Sequence, residues 1–242
     1  MNEANIRANT QLAEAIGLDN ERWSILCDFD GTVSLVDVTD TLLSRFGMEG
    51  YQTLESAWAA GKIGSRECMG AQIALLDASK DELDSALDTI ELDASFKAFV
   101  TLARKLGMPV KIVSDGLDYA IDRILRRHGL GDLPIYANKL TQVGERRWQL
   151  QFPHSDKDCV KASGNCKCAL VSGCQRNSGR VLFVGDGGSD FCASGQADFV
   201  LAKLKLIEFC QQEDIDHLAI AGFEQALGFL NEHHAKAANE IV

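Results

Sequence analysis

The stretch ILCDFDGTVSLVD, Ile25 to Asp37, ends an apolar run with two aspartates one residue apart. On a strand, alternate side chains share a face, so Asp28 and Asp30 point the same way while Phe29 points into the core. Asp186 and Asp190 flank Gly187-Gly188-Ser189 in the motif GDGGSD, which directly follows an apolar run, VLFV. If these strand ends converge, up to four carboxylates crowd one crevice, and their repulsion raises some pKa values steeply unless a cation compensates. Hard oxygen ligands in an open site suit Mg²⁺, which keeps several waters and takes few carboxylates plus a substrate phosphate. An aspartate beside such a metal can attack phosphorus and form an aspartyl-phosphate. A second aspartate of different pKa can protonate the leaving oxygen and later activate water. Ser114, followed by Asp115 and Gly116, supplies a hydroxyl, and the adjacent N–H groups can hold a phosphoryl oxygen. Transition-state charge then calls for a lysine. Lys167 is the leading candidate, with Lys157 and Lys161 behind it.

The elements that must position these residues follow from periodicity. After a polar, helical N-terminal segment, Ser24–Asp28 reads as a short buried strand. From Val36 to about Ser95 the pattern is helical, with Val38, Leu42 and Phe46 on one stripe and Ile73, Leu75 and Leu76 on another. Ser79-Lys80-Asp81-Glu82 is a capping box before Leu83 and Leu87. This block has no strand signal and no proline, and is read as a helical insert. Beyond it, a helix from Phe96 stops at Gly107, and Pro109–Val113 is a strand ending in Ser114-Asp115-Gly116. A helix from Leu117 to His128 is closed by Gly129. Ile135–Leu140 and Arg147–Phe152 are strand-like, Cys166–Cys174 helical, Val181–Val184 a strand, and Phe199–Ala202 the last strand. Strands alternating with helices predict an α/β fold with a parallel sheet, in which ligands bind beyond the carboxyl ends of the strands. That is where the acids sit.

Bulk composition narrows the partners. The chain has 242 residues, 46% of them hydrophobic, with a formal net charge of −11 and a mean hydropathy close to zero. It is long enough for one large domain or two small ones. The acidic balance argues against nucleic acid or an anionic membrane surface as partner, since both reward basic surface. An anionic substrate must therefore find its positive partners locally. No run of 18 apolar residues exists, so no membrane span is expected, and the polar N-terminus lacks a secretory h-region. Eight cysteines in a chain of this size read as reduced thiols, which predicts a cytoplasmic protein.

The motifs DFDGT, VSDG, CK and GDGGSD, in that order, resemble the haloacid dehalogenase superfamily of aspartate-nucleophile phosphatases. The resemblance covers the chain after about Trp23 and implies a Rossmann-like core, residues 1–34 and 96–242, with a small helical cap, residues 35–95, inserted after the first strand. It implies an enzyme, a Mg²⁺-dependent phosphomonoesterase acting on a small phosphorylated metabolite. Carried over, Asp28 is the nucleophile and a Mg²⁺ ligand, and Asp30 is the general acid/base that gives its carbonyl to the metal. Asp186 is the third protein ligand, Lys167 neutralises nucleophile and phosphate, and Asp190 orients metal-bound water or the lysine. Ser114, with Asp115 and Gly116, binds the phosphoryl group, and Gly31 and Thr32 bring backbone N–H groups near it. The position of the helical insert matches the phosphoserine phosphatase branch. Within that branch, IVSDGLDYAI, FPHSDKDCVKASGNCKCALV and VGDGGSDFCASGQADFVLAKLKLIEFC are similar to the 2-hydroxy-3-keto-5-methylthiopentenyl-1-phosphate phosphatase group. GDGGSDFC also resembles phosphoethanolamine and phosphocholine phosphatases.

Other residues admit two readings each. Cys159, Cys166, Cys168 and Cys174, with His154 nearby, could gather a zinc ion, but their spacing is not the paired C-x₂₋₄-C of structural sites. The plainer reading is small side chains around the loop that delivers Lys167, with His154 packing in that loop. Asp190 could instead cap the helix that follows it. Asp37 could meet a substrate amine or sit at the positive end of the helix that follows it. Rival functions are a phosphomutase on the same framework, a receiver-like phospho-aspartate signalling module, and a catalytically silent binding protein.

Overall fold

Ser24-Ile25-Leu26-Cys27 can form a strand buried on both faces, because it carries no charge and no group larger than a hydroxyl that needs water. In the computed structural model, which describes residues 22–159 and 161–239, it does so as β1 (Trp23–Cys27), buried throughout. The N-terminal helical segment expected from the sequence lies outside the described residues.

The chain divides into two compact units. One comprises Asp93–Lys111 together with the described residues up to Asp28 and from Cys168 onward; the other comprises Phe29–Leu92 and the described residues of Ile112–Lys167.

In the first unit β1 pairs in parallel with β5 (Arg180–Gly185), β5 with β6 (Phe199–Ala202), and β6 with β7 (His217–Ala219). The start of β2 (Val110–Leu117) belongs here too, and Pro109 O accepts from Ile25 N at 2.9 Å. Helices α5 (Phe96–Lys105) and α10 (Phe223–Asn239) pack together through Phe223, whose ring meets Phe96 and Phe99 edge-on at 4.7 and 5.1 Å. The short α8 (Phe191–Ser194), α9 (Leu204–Gln212) and most of α7 (Lys167–Ser178) complete it. Phe199–Ala202 is not the last strand: β7 follows. Its three residues are half-buried or exposed, so it leaves neither an apolar run nor an alternation to read.

The second unit holds the helices expected between residues 36 and 95: α1 (Val38–Phe46), α2 (Tyr51–Ala59), α3 (Ser65–Ala74) and α4 (Lys80–Leu87). The capping box is formed, with Ser79 Oγ accepting from Glu82 N at 3.2 Å and Glu82 Oε2 accepting from Ser79 N at 2.8 Å. Strand β2 pairs in parallel with β3 (Ile135–Gly144), which pairs in antiparallel fashion with β4 (Arg147–Gln151). Helix α6 (Asp118–Arg127) lies against β3, and its Arg123 grips Asp88 at 2.9 and 2.7 Å.

Trp148 fastens β4 to the turn before α4: it is 5% exposed, and its Nε1 donates to Ala78 O at 2.8 Å. Trp148→Ala deletes a large buried ring and leaves a carbonyl unpaired. It is expected to cost about 3–5 kcal/mol, read as a lower urea midpoint.

Candidate active site

The carboxyl ends of β1 and β5 lie side by side in the first unit because the strands run parallel with Cys27 opposite Val184. Asp28 N donates to Val184 O at 2.9 Å, which extends this pairing by one residue and leaves the Asp28 carboxylate where the sheet ends. Asp186 follows the last residue of β5. One carboxylate oxygen each from Asp28, Asp186 and Asp190 lies within 4.8 Å of the others, and Asp28 and Asp190 are buried. Three carboxylates this close repel strongly at low dielectric unless a cation joins them. An octahedral Mg²⁺, with ligands at about 2.1 Å, spaces its oxygens about 3–4 Å apart. The donor set therefore fits a hard divalent cation.

Asp190 does not cap the helix that follows. No side-chain cap bond forms at α8; instead its Oδ2 reaches back to accept from Asp186 N at 2.9 Å and Gly187 N at 3.1 Å. It thereby shapes the turn that presents Asp186. Gly185 permits this approach, since a Cβ there would lie 2.6 Å from Asp190 Cγ and 2.8 Å from Phe183 Cε1. Next to Asp28, burial and then the aspartate's charge push the Cys27 thiol far above its ordinary pKa, so it stays protonated and is no rival nucleophile.

The second unit holds Asp30, Ser114 and Lys167. Asp30 is half-buried. Its Oδ1 accepts from Val38 N, at the start of α1, at 2.8 Å, and its Oδ2 accepts from Ser114 Oγ at 3.4 Å. Desolvation, and next the charge of Asp37, push the Asp30 carboxyl up to about 7, against the pull of Val38 N–H, Lys167 and Ser114. A carboxyl that titrates near neutrality suits a group that gives and takes a proton. Of the three candidate lysines, Lys157 and Lys161 are exposed, whereas Lys167, first residue of α7, is 3% exposed and acts on Asp30.

The pairing of β2 with β3 slips between Val113 and Leu117. This irregularity re-aims Ser114-Asp115-Gly116 within a strand that the sequence suggested would end before them. Ser114 Oγ accepts from Gly116 N at 2.9 Å. A Cβ on Gly116 would sit 2.3 Å from Asp30 Oδ2 and 3.0 Å from Ser114 Oγ. Gly116→Ala must displace one of the two, and is expected to lower kcat/KM about a hundredfold. Steady-state kinetics, with far-UV circular dichroism to confirm the fold, checks it.

Asp115 spends its carboxylate internally: it accepts from Ser65 Oγ (2.7 Å), Asn165 N (2.8 Å) and Asn138 Nδ2 (3.2 Å). Asn165 also donates to Ser114 O at 2.8 Å and Tyr136 O at 2.5 Å, tying the loop before Lys167 to the Ser114 turn. Thr32 N, Val33 N and Ser34 N all donate to Phe29 O at 2.9–3.2 Å, and Gly31, at φ 71°, makes a long 3.4 Å contact to Val36 O. Asp37 caps α1, its Oδ1 accepting from Asp40 N at 2.8 Å. It also lines a groove of about 680 Å³ with Asp40, Thr41, Tyr51 and Glu55.

His154 packs against Tyr136 with ring centroids 5.4 Å apart. Cys159, Cys166, Cys168 and Cys174 do not form a metal-ligand cluster with it: among the described residues, the Asp28–Asp186–Asp190 group is the one set that does.

Residues 24–213 match the family model described as "Putative Phosphatase". The chain belongs to this phosphatase family. It is 31% identical over 203 residues to a 2-hydroxy-3-keto-5-methylthiopentenyl-1-phosphate phosphatase of Geobacillus thermodenitrificans, covering 82% of this chain and 91% of the relative. A Lysinibacillus sphaericus protein of the same name is 29% identical over 214 residues, 86% of this chain and 93% of that one. The fold is that of substrate-bound phosphoserine phosphatase, with TM-score 0.67 and 20% identity over 87% of this chain and 99% of that one. It also matches a phospho-aspartyl intermediate analogue of phosphoserine phosphatase, with TM-score 0.67 and 19% identity over 86% and 98% of the two chains. The phosphatase thus has the α/β haloacid dehalogenase fold, and none of its described helices is long and apolar enough to cross a membrane.

Sequence reasoning did not single out Asn138, Asn165 or Lys203. The asparagines act through main-chain partners far away in sequence and leave no local pattern. Lys203 had a signal: a lysine directly after the buried strand FVLA, at the same kind of strand end as the acids.

Proposed function

We propose that this phosphatase hydrolyses a small phosphorylated metabolite with Mg²⁺, through a phosphoryl group carried on Asp28. The convergence of Asp28, Asp186 and Asp190 within 4.8 Å is the observation that carries the reading. Mg²⁺, held by the carboxylates of Asp28 and Asp186 and the carbonyl of Asp30, would supply the positive charge that the developing phosphoryl negative charge needs. Asp28 attacks phosphorus in line as the ester bond breaks, and Asp30 gives its proton to the departing alcohol. Asp30 then takes a proton from water as it hydrolyses the aspartyl-phosphate. Lys167 offsets charge on nucleophile and phosphate, Ser114 holds a phosphoryl oxygen, Gly31 and Gly116 leave room for close approach, and Asp190 positions Asp186. Residues 35–95 act as the cap that selects substrate, with residues 1–34 and 96–242 as the core. All eight cysteines lie outside disulfides, which supports a reducing, cytoplasmic setting.

The raised pKa of Asp30 has a consequence in metal-free protein. Its folded-state pKa of about 7 lies above the ordinary value of 3.8, so the stability it contributes is full below that ordinary value and is lost as pH rises towards about 7. Asp30→Asn is therefore expected to gain stability relative to wild type over that window and to hold the gain above it. Urea unfolding in EDTA at pH 5 and pH 8 checks this; a difference independent of pH contradicts it.

The names of the similar proteins support 2-hydroxy-3-keto-5-methylthiopentenyl-1-phosphate as the first substrate to test. A second reading, a phosphate ester with an ammonium head, is favoured by the groove where Asp37, Asp40 and Glu55 stand beside Tyr51 with no basic residue in its lining. Phosphate release with Mg²⁺ should give a higher kcat/KM for the methylthiopentenyl ester than for phosphoserine, phosphoethanolamine or phosphocholine. The reverse order supports the second reading. An isomerised product without free phosphate supports a phosphomutase, a persistent phosphoprotein a signalling module, and no turnover of any ester refutes the proposal.

A further inference from the structure

Lys203 directly follows β6 and is 7% exposed. Burying an ammonium is costly unless carboxylates compensate it. The charges acting on this one are Asp186, Asp93 and Asp28, opposing the burial that lowers its pKa. Its main chain is stitched to the same strand end: Lys203 N donates to Gly185 O at 2.9 Å, and Leu206 N donates to Asp186 O at 3.0 Å. The next residue, Leu204, sits at φ +46° with its side chain 65% exposed. A left-handed leucine costs about 1–2 kcal/mol, and here it recovers nothing by burial. That conformation turns the chain into α9 while Lys203 stays inside. Asp93 is anchored separately, accepting from Ser95 N at 2.9 Å and Phe223 N at 3.0 Å, so it offers the ammonium a fixed second partner.

We propose that Lys203 is a positioning residue that weakens the negative field of the Asp28–Asp186–Asp190 cluster and so keeps a divalent cation from being held too tightly for turnover. Asp28, Asp186 and Asp190 carry three negative charges, and a buried ammonium beside them, shared with Asp93, offsets part of that charge and weakens the pull on a cation. The proposal rests on the reading that this cluster holds Mg²⁺.

Cation binding without substrate reads this directly. Mn²⁺ titration by electron paramagnetic resonance on wild type, Lys203→Met and Lys203→Arg, in phosphate-free buffer, reports free ion whatever the activity. Lys203→Met is expected to bind Mn²⁺ at least about tenfold more tightly, because a positive charge near the ion is gone, and to turn over more slowly. Lys203→Arg is expected to stay within about threefold of wild type. A side chain that merely supported the fold would show the opposite sign, weaker binding with a lower melting temperature. Unchanged or weaker binding in Lys203→Met overturns the proposal. If that variant does not fold, Lys203→Gln carries the same expectation and the same contrary result. Wild type that binds no Mn²⁺ overturns the metal reading itself, whereas wild-type binding with no change in the variants overturns only the role of Lys203.

Discussion

Asp28→Asn is expected to lower kcat for phosphate release from an aryl phosphate by about four orders of magnitude or more, with the fold intact. The substitution keeps size and shape, and the main-chain bond from residue 28 to Val184 O at 2.9 Å does not depend on the side chain. An amide cannot attack phosphorus, and the adjacent Cys27 thiol is kept protonated chiefly by burial, which the substitution leaves in place. Removing one of three crowded carboxylates also relieves repulsion. Melting in EDTA should therefore occur at or above the wild-type temperature while activity is lost. A structural aspartate would give the reverse, a lower melting temperature with residual activity. Because the change is also expected to weaken cation binding, the rate is to be measured at saturating Mg²⁺.

Withdrawal of Mg²⁺ is the second large effect. EDTA is expected to reduce turnover at least about a thousandfold, or about 4 kcal/mol of transition-state stabilisation, with recovery on added Mg²⁺. Ca²⁺ should not restore the rate, since it prefers more ligands at longer distances than this small carboxylate set provides. Asp186→Asn should raise the Mg²⁺ concentration needed for half-maximal rate, because it removes one of the converging oxygens. Activity that survives both chelation and Asp186→Asn would place the chemistry elsewhere.

Much of this was legible in the residues because strand ends are local. An apolar run such as VLFV or ILC can only be buried, so the acids that follow must stand where the strand ends, and Asp28 and Asp186 do. The Ser79 capping box was equally local, four residues with complementary donors and acceptors. Tertiary effects were hidden. The irregularity that turns Ser114-Asp115-Gly116 depends on how β2 meets β3. The bonds that occupy Asp115 come from Ser65, Asn138 and Asn165, 50, 23 and 50 residues away. For Asp190 the sequence left a helix cap open beside the role of a supporting acid, because aspartates before helices often cap them. Its carboxylate turns back to the chain before it, since the crowded strand end leaves two N–H groups there to satisfy. β7 escaped notice because three half-exposed residues carry no periodicity.

The phosphoryl group proposed to be carried covalently on Asp28 can be trapped. Wild-type phosphatase quenched during turnover and treated with borohydride should yield homoserine at position 28, since hydride reduces an acyl phosphate and spares a free carboxylate. Peptide mass spectrometry should find that change at Asp28, dependent on substrate and Mg²⁺ and absent from Asp28→Asn. Homoserine at Asp30, Asp186 or Asp190, or at no residue while phosphate is being released, would contradict Asp28 as the nucleophile.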